Sequence, residues 1–92
     1  MMKANDILQA GMDAMADRAA KRDRADGERS MKRAVEIYSA WTGQEFCEGD
    51  GWRFMVALKM AREYQGSVHA DDYVDGAAYF ALLGEYCIAK HK

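Results

Sequence analysis

Apolar positions recur at helical spacing in four stretches of the chain. The first runs from about Asn5, read as an N-cap, to about Ala20, with Leu8, Met12, Met15 and Ala19 spaced +4, +3, +4. The second starts near Glu28 and carries Met31, Ala34, Val35, Tyr38 and Trp41 at i, i+3, i+4, i+7 and i+10. Thr42 and Gly43 end it, with Gly43 suited to a left-handed C-cap. Positions 44–51 read as a polar connector in which Gly49 and Gly51 are turn residues. The third helix, about Gly51 to Gln65, is apolar on nearly every face, which places it centrally. Gly66 closes it. The fourth, about Asp71 to Lys90, has the same character through Val74, Ala78, Phe80, Leu82, Leu83 and Ile88. A short connector between the third and fourth makes them antiparallel neighbours. The expected architecture is all-α, a four-helix bundle-like subunit forming one domain over residues 1–92, with 1–4 and 91–92 frayed.

Composition sharpens this picture in two ways. Proline is absent and half of the 92 residues are hydrophobic, which favours helix and a packed core. Two all-round apolar helices in so short a chain call for more burial than one subunit supplies, so a homo-oligomer is expected. Ala77, Ala81 and Gly84 would let another helix approach closely. A net charge of −2 gives no electrostatic case for an extended nucleic acid or an anionic membrane. Cys47 and Cys87 lie forty residues apart with no CxxC, so free thiols in a reducing cytoplasm are expected rather than a zinc site. No signal peptide and no span-length apolar run is seen, and a cytoplasmic protein is the expectation.

Candidate chemistry sits in three groups. Asp72, Asp75 and Tyr79 fall at i, i+3 and i+7 on one face of the fourth helix. Capping and the helix macrodipole explain acids at such a start, but Asp75 lies inside the apolar stretch. Two carboxylates one turn apart are also able to hold Mg²⁺. Lys59 and Arg62 lie i, i+3 on the third helix, and three readings stay open for them. They line an exposed edge or form a Lys59–Glu63 pair, they pair with Asp72 and Asp75 across the antiparallel helices, or they meet a ligand phosphate. Antiparallel packing is expected to bring Arg62 beside Asp72. The third group is the charged run from Asp17 to Arg33, read mainly as a solvated face. Arg29 and Ser30 at the start of the second helix are the part of it that could cradle a phosphate. Trp41 and the tyrosines read mostly as core. No P-loop, no GxGxxG and no Cys-His or Ser-His nucleophile can be assembled.

Three motifs in order carry a resemblance over about residues 15 to 86: Gly27-Glu28-Arg29-Ser30-Met31, then Gly51-Trp52-Arg53-Phe54-Met55 with Leu58-Lys59-Met60-Ala61-Arg62, then Asp71-Asp72-Tyr73-Val74-Asp75-Gly76-Ala77-Ala78-Tyr79. They resemble a family of small phage and prophage proteins of unassigned function, itself distantly similar to the MazG-type all-α NTP pyrophosphohydrolases. That similarity implies an oligomeric helical bundle using Mg²⁺, with Asp72 and Asp75 as one acidic pair and Lys59 and Arg62 facing phosphate. The ExxE pair of the enzymes is missing: Glu28 and Glu36 are eight apart. The leading expectation is therefore a phage-encoded nucleotide-binding protein that sequesters a nucleotide or cyclic nucleotide signal of host defence. In it Lys59, Arg62, Arg29 and Ser30 would meet phosphate, Tyr79 or Trp41 the base, and Asp72 and Asp75 the cations or a metal. The alternatives are a Mg²⁺-dependent pyrophosphohydrolase with a degenerate site, and a module that inhibits a host protein through its apolar helices.

Overall fold

The computed structural model describes residues 1–21 and 30–91. Among them are four α-helices and no strand: α1 (Ala4–Lys21), α2 (Ser30–Thr42), α3 (Glu48–Glu63) and α4 (Ala70–Lys90). The Asp26-Gly27 break, the start of the second helix near Glu28, and Arg29 lie outside the described residues. In space the helices follow the order α1, α4, α3, α2: α4 packs against α1 and α3, and among the described residues α2 packs against α3 alone. Gly49 lies against Tyr86, while Lys59 lies against Gly76 and Glu63 bonds Tyr73. Those pairings make α3 and α4 antiparallel, as their short connector requires.

Helix starts differ from expectation, and each shift has a local cause. Asn5 is inside the first turn of α1 rather than its cap, because the Lys3 N–H already donates to the Asp6 carboxylate at 2.8 Å. α3 begins three residues early. The Cys47 N–H donates to Asp50 Oδ2 at 2.9 Å, which satisfies a free amide at the helix start. This bond is the largest cause holding the Asp50 carboxyl below its ordinary value, with the Arg53 guanidinium adding to it. Gly49 and Gly51 are therefore helical, and they serve as packing notches instead of turn residues. A Cβ on Gly51 would collide with the Met31 side chain and come within 2.9 Å of Val35 Cγ2. In α4 the N-cap is His69, so Asp71 and Asp72 lie in the first turn, where acids favour the helix dipole. Gly43 does adopt the left-handed conformation that ends α2 (φ 74°).

The core is small. Val35, Trp52, Val74, Ala78, Leu82 and Leu83 are its buried hydrophobic members. Trp52, Leu82 and Leu83 form its centre, with Met15, Met31, Tyr79, Tyr86 and Cys87 packed around them. Each large side chain there contributes about 2 kcal/mol on burial. α3 is central in connectivity, yet its outer faces remain open: Phe54 and Met60 are exposed. Both cysteines are free.

Candidate functional site

Where α1, α3 and α4 meet, Asp75 accepts from cations on two other helices. Its Oδ2 lies 3.1 Å from Lys59 Nζ and its Oδ1 lies 3.3 Å from Arg18 Nη2. The Lys59 side chain is only 11% exposed and that of Asp75 24%, so the pair interacts more strongly than a surface ion pair. Asp75 reaches this position because it sits one turn into α4, on the side turned toward α1. Lys59 lies across from Gly76, the residue after Asp75, so its stem packs against α4 beside the carboxylate. The Arg18 guanidinium also lies over the Tyr79 ring, 5.3 Å from its centroid. That ring stacks on Trp52 at 6.0 Å, so these contacts tie the ion cluster to the core.

Beside the cluster, a cleft of about 230 Å³ runs between α3 and α4. Val56, Met60 and Ala77 give it apolar walls, while Lys59, Asp72 and Tyr73 supply polar groups. Lys59 belongs to both the cleft and the cluster. Asp72 is buried (8% exposed) at the cleft. The Tyr73 hydroxyl donates to Glu63 Oε2 at 3.1 Å, and this bond is the first cause raising the tyrosine above its ordinary value.

Of the residues singled out from sequence, the structure joins Lys59 to Asp75, sets Asp72 beside Lys59 in the cleft, and links Tyr79 to Asp75 through Arg18. The Lys59–Glu63 pair does not form: Lys59 takes Asp75 and Glu63 takes Tyr73. Arg62 is exposed, and among the described residues no ion pair joins it to Asp72. In the last turn of α3 it is Glu63, not Arg62, that meets the start of α4, where it takes the Tyr73 hydroxyl. Ser30 and Trp41 are exposed on α2, which packs against α3; Trp41 meets Tyr38 edge-on at 6.5 Å. Arg18 is the residue that sequence reasoning missed. It lay in a charge run read as solvated, and its only signal was its phase on the Met15 stripe of α1.

The resemblance implies Mg²⁺ on Asp72 and Asp75. Asp75 has both oxygens engaged by cations, and among the described residues no three His, Cys, Asp or Glu side chains converge as a metal site. In this arrangement the side chains present do not fit such an ion. Among the described residues no helix is long and apolar enough to cross a membrane. Comparison with curated proteins and with solved structures finds no match. A family does match, over residues 6–87, and it covers all four helices from the first turn of α1 to the last turns of α4. The chain belongs to the family described as Domain of unknown function (DUF6378).

Proposed function

We propose that this chain binds a nucleotide without cleaving it, through phosphate at Lys59 and Arg18. The observation that supports this reading is the shared carboxylate. Asp75 holds two cations from different helices in place, one of which, Lys59, also lines an adjoining cleft. A terminal phosphate group competes well for such donors, because it carries about −1.5 to −2 charge at neutral pH and its three oxygens accept from both cations at once. The apolar walls at Val56, Met60 and Ala77 suit the flat face of a base, and Asp72 and Tyr73 offer hydrogen-bonding groups beside it. Asp75 then acts as the counter-ion that preorganises the cations in the empty protein. Binding without cleavage accords with the missing ExxE pair and with the occupied oxygens of Asp75. The resemblance to phage proteins makes sequestration of a nucleotide signal the biological form of this reading.

Isothermal titration with nucleoside triphosphates and cyclic dinucleotides, with and without Mg²⁺, tests it. The expected result is binding to at least one nucleotide without need for Mg²⁺, weakened about tenfold or more, roughly 1.4 kcal/mol, in Lys59→Met. Failure of every nucleotide to bind the folded protein refutes the reading. Pyrophosphate release that disappears in Asp75→Ala would replace it with the hydrolase.

A further inference from the structure

The chain exposes far more surface than a stable monomer of its size. Its accessible surface is 7151 Å², whereas a folded 10.4 kDa monomer exposes about 5,400 Å². The excess is about 1,750 Å², within the roughly 1,000–2,500 Å² that each chain buries in an obligate dimer. Granting the nine undescribed residues the full exposure of an extended chain still leaves about 700 Å², close to the roughly 800 Å² per partner of a standard interface.

The location of the deficit is set by α2. This helix has 13 residues, too few to be stable alone in water, yet among the described residues it packs against α3 only and buries only Val35. Between α2 and α3 lies an apolar groove of about 490 Å³, floored by Met31, Val35 and Met55 and walled by Tyr38 and Phe46. Phe54 stands at its edge, 69% exposed, and Trp41 beyond Tyr38 is 79% exposed. The same patch thus carries both a hole and two projecting aromatic rings. A two-fold interface needs this self-complementarity, because each subunit offers the other the same surface.

We infer that the α2–α3 groove is the interface of a homodimer, filled by Phe54 and Trp41 of a second copy. A partner required for α2 to pack must be present whenever the chain folds, and a second copy meets that condition at the right stoichiometry. Each buried aromatic side chain removes about 150–250 Å² from water, so four such rings supply a large share of the missing burial. The inference is independent of nucleotide binding, since the ion cluster lies on the α1–α4 side of α3.

Sedimentation and light scattering across a concentration series test it. The expected results are a dimer for the natural chain, a melting temperature that rises with protein concentration, and a monomer for Phe54→Glu. Phe80→Glu, on the exposed side of α4, should remain dimeric. If Phe54→Glu also loses its helical circular dichroism, Trp41→Ser decides, since Trp41 makes only an edge contact with Tyr38: a monomer supports the inference and an unchanged dimer overturns it. A natural chain that stays monomeric at every concentration overturns it. So does a dimer broken by Phe80→Glu and left intact by Phe54→Glu.

Discussion

Asp75 takes cations from two directions, and the cost of removing either can be stated. Lys59 is nearly buried, so Lys59→Met keeps the packing of the stem and leaves Asp75 with Arg18 alone. The expected loss is about 1.5–3 kcal/mol, the range for a hydrogen bond to a charged group. Thermal melting of the empty protein reads this as a fall of roughly 4–8 °C per kcal/mol. Arg18→Gln should cost less, about 1 kcal/mol or below, because Arg18 is more exposed and Lys59 still neutralises Asp75. Equal losses in the two variants would mean that burial does not set the strength of these pairs.

The helices show the consequences of single residues at greater length. Gly51 lets α2 lie against the start of α3, so Gly51→Ala should cost about 1–3 kcal/mol by overpacking against Met31 and Val35. Near-ultraviolet circular dichroism, which reports packing of Tyr38 and Trp41 on α2, should change more than the far-ultraviolet signal. At the start of α3, the Asp50 carboxyl is held below 3.8 by the Cys47 N–H. Its stabilisation is fully present above that ordinary value and disappears as the pH falls through the lowered one. Melting curves of Asp50→Asn and the natural chain should differ at pH 7 and converge in stronger acid. These two positions also show what the sequence could reveal. Hydrophobic spacing located all four helices, because an amphipathic stripe reports which face is buried. It placed the start of α3 late because Gly49 and Gly51 look like turn residues when their packing partners, Tyr86 and Met31, are unknown. The Lys59–Asp75 pairing was legible because charge inside apolar stretches demands a partner. Arg18 was not, since a cation within a mixed charge run carries no sign of which neighbour it will meet. Arg62 was misplaced because adjoining helix ends do not decide which side chain of the last turn meets the next helix; Glu63 does, through Tyr73.

For the molecule as a whole, a small core, a thinly supported α2 and an ion cluster joining three helices form one account. The core fixes α1, α3 and α4, and the cluster marks their junction. In the proposed function, Asp75 holds Lys59 and Arg18 for a phosphate that takes its place. Asp75→Asn tests this most directly, because stability and binding should move in opposite directions. Removing the carboxylate charge should lower the melting temperature of the empty protein and tighten the nucleotide dissociation constant, as the two cations lose their competitor. A variant that is destabilised and binds no nucleotide more tightly than the natural chain would contradict the account and leave the cluster with a structural role alone.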